Sequence, residues 1–525
     1  MSSVVISGDV SGSVTLQAPS AAGSTVVTLP ANSMNMGNGG GGVSSNTALG
    51  YQALNSNTTG AQNTAVGIYS LYTNTTGANN TAIGSGALLA STASSNTAVG
   101  TEALRYNTTG TPNTAVGYQA LYANTVGVGN TAVGYNVLTA NTTGSNNTAI
   151  GYNVLSANTT GGPNIGVGDN ILTANTTGIY NVGVGSAVLT ANTIGTANIG
   201  MGHGALYRNT TGNGNTAIGE TTLNANVVGS YNTAVGNYAL ANNTADGNTA
   251  FGHLSLTANT TGVENVAFGY ATMQVNTTGS YNTAVGRAAL NQNTTGVNNT
   301  AIGDGAQQLT TTGSYNVTLG SSAGYNISTG SNNVCLGFGS AQNTTSLTTG
   351  SNNVVIGFNA HTSSVGAQNQ IVIGASGVGQ GDGYVSLGIG GTSYIYANFA
   401  SAATWTKASD GRIKQNVNDT TIGLDFIEKL RVVTYNWKPS NEIPEDIIGY
   451  AEENTQNLET TMYGFIAQEV KEAMDDLGYE NFTGWNIREA DGLQGIATDQ
   501  FVLPLINAVK ELSARVKELE AKVNA

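Results

Sequence analysis

A repeat of 17 residues runs through most of the chain and restricts what it can fold into. The consensus N-T-A-V-G-Y-x-A-L-x-x-N-T-T-G-x-x recurs with its first Asn at 46, 63, 80, 96, 113, 130, 147, 164, 181, 198, 215, 232, 248, 265, 282, 299, 316, 333, 353 and 369. A unit this short is smaller than helical-repeat or propeller units, and it indicates one β-solenoid coil per repeat. We therefore expect a mostly β fold whose coils stack into a rod about 95 Å long, at roughly 4.8 Å per coil.

The residues within one unit predict its local structure. "NTAVG" is typical of a short strand ended by a Gly with positive φ, and "NTTG" supplies a second corner. Stacking places equivalent residues in register, so Asn46, Asn63 and their successors are expected to form a hydrogen-bonded ladder. Because strand side chains alternate, Ala48 and Leu49 point to opposite faces, and both faces are apolar. One face can fill the coil, and three identical chains around one axis would cover the other, so we expect a homotrimer.

Charge divides the chain near residue 407. Residues 1–406 hold three basic and eight acidic residues, whereas the remainder holds twelve basic and twenty-one acidic ones. Since both parts are acidic, we expect no nucleic-acid partner. The N-terminus has no basic region and no apolar run reaches 18 residues, so we expect neither a signal peptide nor membrane insertion. The single Cys335 stands in a column of small residues and is expected to be a buried, inert thiol.

The repeats offer few candidates for a binding or catalytic site. His203 and His253 stand five residues after a repeat Asn, in the column that holds Tyr51, Tyr118 and Tyr135 in other coils. This column is either a stripe that stacks on sugars or an aromatic stripe that packs on neighbouring coils, and we favour the second interpretation. The acidic residues are scattered singly, so we expect no glycan hydrolysis, metal or cofactor in the repeats. Regular Thr columns leave ice binding as a remote alternative.

After residue 407 the pattern changes to that of an α+β domain. Ile422, Phe426 and Leu430 have helical spacing, the strand-like "RVVTYNWK" follows, and "GFIAQEVKEAM" predicts a second helix. The last residues, about 500–525, predict a short coiled coil with Val at position a and Leu at position d. Its apolar positions are Leu505, Val509, Leu512, Val516, Leu519 and Val523.

Four features of this part resemble one family. "SDGRIKQN", "LRVVTYNWKP", "YGFIAQEV" and the terminal helix are similar to the endosialidase-type intramolecular chaperone domain that ends many phage tail fibres. The resemblance implies that Ser409 and Lys414 form a self-cleaving dyad, a serine endopeptidase that acts once. Ser409 suits a helix N-cap, and burial of Lys414 on assembly would favour a neutral amine that acts as general base. We expect attack on the carbonyl of Ala408, and a cut on the other side of Ser409 stays an alternative.

The repeats are similar to the head repeats of trimeric bacterial adhesins and, more closely, to the arrays of phage tail fibres. Together the resemblances imply a β-rich attachment segment (1–40), a solenoid shaft (41–375), a β-rich connector (376–406) and a chaperone and auto-processing domain (407–525). They imply a virion tail fibre, assembled in the host cytoplasm, that joins other tail proteins through its N-terminus. A host surface receptor, with a glycan among the candidates, would be its target. The alternative is an uncleaved adhesin or virion fibre whose C-terminal domain is a permanent trimerisation clamp.

Overall fold

The computed structural model describes most of the repeats and of the C-terminal part. The described residues are 14–16, 27–29, 43, 45–342, 347–390, 393–398, 406–407, 414–447, 450–454 and 456–524. The chain divides into two compact units, Met1–Ala408 and Ser409–Ala525. The first unit is built from short strands, and the second combines helices with two small sheets.

In the first unit, β1 (Val14–Leu16) and β2 (Val27–Leu29) form an antiparallel pair. Twenty strands follow at one per coil. In order, β3 to β22 are Thr47–Leu49, Thr64–Val66, Thr81–Ile83, Thr97–Val99, Thr114–Val116, Thr131–Tyr135, Thr148–Tyr152, Ile165–Asp169, Val182–Ser186, Ile199–His203, Thr216–Ile218, Thr233–Val235, Thr249–Phe251, Val266–Phe268, Thr283–Val285, Thr300–Ile302, Val317–Leu319, Val334–Leu336, Val354–Ile356 and Ile371–Ile373. β23 (Tyr384–Ile389) extends this sheet in parallel, and β24 (Ser393–Asn398) and β25 (Thr406–Lys407) extend it antiparallel.

Each strand pairs in parallel with the equivalent strand of the next coil. Thr47 lies opposite Thr64, and Ala48 lies opposite Ala65, so one repeat separates paired residues. The second strand residue is buried, as Ala65 shows, while Val66 beside it is only half-buried. The predicted long β-solenoid of about 17 residues per coil is thus confirmed, with Ala inside and an apolar side chain outside.

Two ladders of buried Asn side chains join the coils. In the first, the backbone N–H of Asn63 donates to Oδ1 of Asn46 at 2.8 Å. In the second, Nδ2 of Asn74 donates to Oδ1 of Asn57 at 3.0 Å. Nδ2 of Asn63 and Nδ2 of Asn74 also donate to the same carbonyl, that of Gly77, at 2.9 and 3.0 Å. The carbonyl of the corner Gly therefore ties both ladders together and satisfies the side-chain N–H groups of Asn63 and Asn74 inside a narrow coil.

The last step of the first ladder differs from the prediction. Gln370, and not Asn369, donates its backbone N–H to Oδ1 of Asn353, at 3.0 Å. Asn369 lies one residue earlier with φ of 57°, in the left-handed region that Asn tolerates better than most residues. Both positions carry a carboxamide, so an alignment on Asn alone placed the ladder one residue too early.

The turn after each strand uses left-handed backbone. Gly67 has φ of 131°, and a Cβ there would lie 2.5 Å from the carbonyl oxygen of Gly84 in the next coil, so this column requires Gly. Leu71 also has positive φ, 49°, although it is a bulky residue. This conformation costs about 1–2 kcal/mol, which full burial of the Leu side chain offsets. Equivalent Leu residues line the interior of most coils.

Side-chain sizes inside the coils are matched between strand and turn. Most strands carry an inward Ala, but β10, β11 and β12 carry Gly. A Cβ on Gly183 would lie 2.4 Å from Cγ2 of Ile171, and a Cβ on Gly200 would lie 2.4 Å from Cγ1 of Val188. In these coils a larger side chain on the turn occupies the space that a strand methyl group fills elsewhere.

In the described part of the second unit, three helices lie around an aromatic core. Its elements are α1 (Leu424–Lys429), β26 (Val433–Tyr435), β27 (Met462–Gly464), α2 (Ala467–Leu477), β28 (Trp485–Ile487), β29 (Gln494–Ile496) and α3 (Val502–Val523), with single 3-10 turns at Ser440–Glu442 and Thr498–Phe501. β26 pairs antiparallel with β27, and β28 with β29. The predicted helices, including the terminal one, are confirmed. Across the described stretches of both units, no helix has the length and apolar character of a membrane span.

Candidate functional site

The dyad predicted from the sequence falls partly outside the described residues. Ser409 lies outside them, as do Ala408 on its N-terminal side and residues 410–413. Lys414 is described, and it is exposed to solvent in the single chain. The distance between Ser409 and Lys414, and the side of Ser409 on which the chain is cut, therefore stay predictions.

The segment that follows the dyad enters the core of the second unit at α1. Phe426 is fully buried, and its ring lies 5.3 Å from that of Phe482 in a T-shaped arrangement and 6.1 Å from that of Phe501 in a stacked one. Ile422 and Leu430 pack at the edge of the same cluster. The apolar spacing recognised in the sequence thus fixes α1 in the core.

The terminal helix holds the segment that leads into α1. Nδ2 of Asn507 donates hydrogen bonds to the carbonyls of Thr420 and Ile422, at 3.2 and 3.1 Å. One turn further along, Oε2 of Glu511 accepts a hydrogen bond from the backbone N–H of Leu424 at 3.2 Å. This N–H has no acceptor within α1, and a carboxylate is favourable at the N-terminal end of a helix dipole. We name these contacts of Asn507 and Glu511 the helix clamp.

The helix clamp depends on a close approach. A Cβ on Gly423 would lie 2.0 Å from Oε1 of Glu511, so a larger residue would push the carboxylate away. Beside it, Arg515 on α3 lies 3.9 Å from the carboxylate of Asp425, and the hydroxyl of Tyr479 donates to the carbonyl of Thr421 at 3.3 Å. The helix clamp was not predicted from the sequence, because Asn507 and Glu511 are typical polar residues of an amphipathic helix.

The terminal helix also presents an apolar seam that the single chain leaves exposed. The seam consists of Leu505, Val509, Leu512, Val516, Leu519 and Val523, whose exposed fractions lie between 45% and 84%. An apolar cavity of about 360 Å³ adjoins its first turn and is lined by Phe465, Val502 and Leu505, among others. Because Leu505 belongs to both, the cavity and the seam form one continuous apolar surface. In a coiled coil, a surface of this kind packs against the equivalent surface of another chain.

Surface ion pairs join α2 to α1 and to the segment before β26. Arg431, just before β26, pairs with Glu469 on α2, and the hydrogen bond from this guanidinium lowers the pKa of the Glu469 carboxyl. Lys429 at the end of α1 lies 2.8 Å from Asp476 on α2. These pairs are exposed to water and contribute little to stability.

The aromatic column of the first unit packs along the rod. The rings of Tyr118 and Tyr135 stack with centroids 5.3 Å apart, and those of Tyr135 and Tyr152 with centroids 5.5 Å apart. The ring of His253 stacks on that of Tyr270 at 5.6 Å. In these coils the ring faces that would stack on a sugar contact neighbouring rings, whereas the ring of Tyr51 meets that of Tyr69 edge-on, with centroids 5.7 Å apart. Packing between neighbouring coils agrees with the interpretation that we favour.

The remaining candidates in the first unit show no reactive arrangement. His203 is exposed, and Cys335 is fully buried. Burial raises the pKa of the Cys335 thiol to about 12, so the thiol stays neutral. The part of the chain that the structure describes holds no group of three or more His, Cys, Asp or Glu side chains able to bind a metal ion.

A β-solenoid followed by a small α+β unit with an exposed terminal seam defines a fibre-like protein with a C-terminal association module. Residues 409–479 match the model of a peptidase family described as chaperone of endosialidase. The second unit therefore carries a domain of this kind, as its motifs had indicated. Comparison with curated proteins and with solved structures gave no match.

Proposed function

We propose that the chain is the tail-fibre protein of a phage virion, a homotrimer that attaches the particle to a host surface. The observation that carries the proposal is the order of its parts: a repetitive rod directly followed by a chaperone-of-endosialidase domain. The apolar outer face of the rod and the seam of α3 both support association between copies of the chain. In this proposal the N-terminal segment joins other tail proteins, and the finished rod meets the host receptor.

The C-terminal domain acts once, as a self-cleaving peptidase. The neutral amine of Lys414 accepts the hydroxyl proton of Ser409, and Oγ of Ser409 attacks the carbonyl carbon of Ala408. The bond between this carbon and the nitrogen of Ser409 breaks as the proton passes to that nitrogen, which leaves an ester. Water then hydrolyses the ester and frees the carboxylate of Ala408 and the hydroxyl of Ser409.

The rod itself supplies the reason for such a domain. Identical coils can associate one repeat out of register at little local cost, and contacts between chains form late because their loop-closure entropy is not offset until then. A C-terminal module that joins three chains sets their relative position. Cleavage after assembly then removes the route back and leaves a kinetically stable fibre.

The intact mass and the oligomeric state of the purified full-length protein test this proposal. We expect the wild-type chain to separate into fragments 1–408 and 409–525, and the Ser409→Ala and Lys414→Ala variants to stay whole. Lys438→Ala is the matched control, because Lys438 is an exposed lysine of the same unit, and it should be cleaved like the wild type. Analytical ultracentrifugation should show trimers for all four proteins.

The possible outcomes test self-cleavage, trimer formation and the role of Ser409 separately. A wild-type chain that stays whole but trimeric would overturn self-cleavage and support a permanent trimerisation clamp. A wild-type chain that is monomeric would overturn the fibre itself. Cleavage that persists in the Ser409→Ala variant would assign the cut to another group or to a contaminating protease.

A further inference from the structure

The outward face of the shaft sheet is apolar along its whole length but is not uniform. The first and third residues of each strand point outward, and the third is apolar in all of β3 to β22. The first residue is Thr in the first seven of these strands, which we name the uniform zone. It is aliphatic in two blocks of consecutive strands, β10 to β12 and β19 to β22, which we name the middle zone and the C-terminal zone. Outside these blocks it is aliphatic in the single strand β16, at Val266.

In both zones each strand presents two outward apolar side chains, where a strand of the uniform zone presents one. In the middle zone the outward residues are Ile165, Val167, Val182, Val184, Ile199 and Met201. In the C-terminal zone they are Val317, Leu319, Val334, Leu336, Val354, Ile356, Ile371 and Ile373. Large side chains in both zones stay open to solvent in the single chain, with 44% of Ile165 and 49% of Leu319 exposed.

The shape of this face identifies what covers it. The face is about 95 Å long and roughly 10 Å wide, with a period of roughly 4.8 Å along its length. Its area, on the order of 900 Å², is similar to what each partner of a stable protein complex buries, about 800 Å². A second copy of this chain has the same length and the same period, so it can cover every coil at once.

We propose that the middle and C-terminal zones fix the axial register in which copies of the chain associate. This inference rests on the proposed trimeric fibre. In the uniform zone, a slip of one coil replaces Thr by Thr and one aliphatic residue by another, so it changes little. Thr148 and Ile165 are the first residues of adjacent strands at the edge of the middle zone. The same slip there brings Thr148 to the place on the partner that Ile165 contacts in register, or Ile165 to the place that Thr148 contacts. It buries a hydroxyl without a partner and exposes an aliphatic side chain, so every zone edge opposes the slip.

The position of the C-terminal zone also gives association a direction. This zone lies next, in sequence, to the connector strands and the chaperone domain. Copies that the C-terminal domain joins would meet first at the longer of the two zones. Association would then proceed toward the N-terminus. The middle zones of the copies would pair before their uniform zones, and this pairing would again disfavour a slipped register.

Interchain photo-crosslinking of the full-length protein tests the register. The photo-crosslinking residue p-benzoylphenylalanine replaces Val235, an outward residue between the two zones. The zone variant carries Thr at the seven first positions of the two zones, Ile165, Val182, Ile199, Val317, Val334, Val354 and Ile371. The control variant carries Thr at the seven third positions of the uniform zone, Leu49, Val66, Ile83, Val99, Val116, Val133 and Ile150. Mass spectrometry of the crosslinked peptides identifies the coil that each copy touches.

We expect crosslinks of the wild type and of the control variant to join one coil to its equivalent. In the zone variant this fraction should fall at least about five-fold, with partners displaced by whole coils. Retention of the single register in the zone variant would overturn the inference and leave the fibre proposal intact. A wild type without interchain crosslinks, monomeric in the ultracentrifuge, would instead overturn the proposed association.

Thr occupies the same strand position in other coils, so the zone variant should keep the solenoid fold, which circular dichroism checks. If it does not fold, Val182→Thr/Val334→Thr/Val354→Thr replaces it. The control is then Val66→Thr/Val99→Thr/Val116→Thr. The same shift of crosslinks in the first triple variant but not in the second supports the inference, and equal crosslinks in both overturn it.

Discussion

Glu511, in the middle of the terminal helix, accepts a hydrogen bond from the backbone N–H of Leu424, 87 residues earlier, at 3.2 Å. Leu424 is the first residue of α1, and α1 has no side-chain cap of its own. The helix whose seam would join the copies is thus the same helix that fixes the start of α1. In the proposed mechanism, this contact links the assembled seam to the chain segment that follows Lys414.

The first prediction concerns this contact. Glu511→Ala removes the acceptor of the Leu424 N–H and should cost the second unit about 1 kcal/mol, as the loss of a helix cap does. It should also reduce the cleaved fraction measured by intact mass, because the segment after Lys414 then loses one of its contacts with the terminal helix. Lys510→Ala, on the same helix and exposed, is the control and should change neither value. Equal behaviour of the two variants would show that the helix clamp has no role.

The second prediction concerns the Asn ladders. Nδ2 of Asn158 donates to Oδ1 of Asn141 at 2.8 Å and to the carbonyl of Gly161 at 2.9 Å, and its Oδ1 accepts from Nδ2 of Asn175 at 2.8 Å. Asn158→Ala leaves these buried groups with fewer partners and should lower the free energy of unfolding by about 3 kcal/mol. Denaturant unfolding followed by circular dichroism measures the loss. Asn242→Ala removes an exposed Asn side chain as the control. A similar small effect at both sites would mean that the ladder is not a source of stability.

The third prediction concerns the match of sizes inside the coils. Gly183→Ala places a methyl group 2.4 Å from Cγ2 of Ile171 and should destabilise the rod by about 1–3 kcal/mol. Ile171→Ala alone leaves a cavity and should cost about 2–4 kcal/mol. The double variant restores the paired small side chains of other coils, so its cost should be below the sum of the two by at least about 1 kcal/mol.

A neighbouring pair provides the control for this double-mutant cycle. Val154 faces Gly166 and not Gly183, so Gly183→Ala combined with Val154→Ala should be additive. Non-additivity of the same size in both pairs would show that the coupling is general softening of the rod and not contact between Ile171 and residue 183.

The sequence predicted those features that follow directly from the residue type at each position of the repeat. The 17-residue period predicted the solenoid, and alternation within "NTAVG" predicted that Ala48 and Leu49 point to opposite faces, although not which of the two points inward. It did not predict the positive φ of Leu71, because this conformation is unfavourable in isolation and is stabilised only by burial within stacked coils. The helix clamp was also beyond prediction, since it joins residues 87 positions apart through side chains without a recognisable motif. The Ser409–Lys414 dyad stays a prediction, because Ser409 lies outside the described residues.

The last prediction concerns Cys335 and alkaline pH. Its neighbours in the sheet register are Thr318 and Val355, and full burial among the coils raises the pKa of its thiol to about 12 from an ordinary value of 9.0. The unfolded chain releases this proton above pH 9, whereas the folded chain keeps it until about pH 12. Burial of the neutral thiol therefore favours folding fully below pH 9, and stability should decline as the pH rises from 9 to 12.

Two measurements check this expectation. Iodoacetamide at pH 8 should modify Cys335 only as fast as the rod unfolds, while a new thiol in the Thr59→Cys/Cys335→Ala variant, at an exposed position, should react at the rate of a free cysteine. The Cys335→Ala variant should lose the part of the alkaline decline in unfolding free energy that arises from this thiol. Rapid modification of Cys335 in the folded wild type would contradict its burial. It would show that the coils around β20 open far more often than the coil-to-coil hydrogen bonds imply.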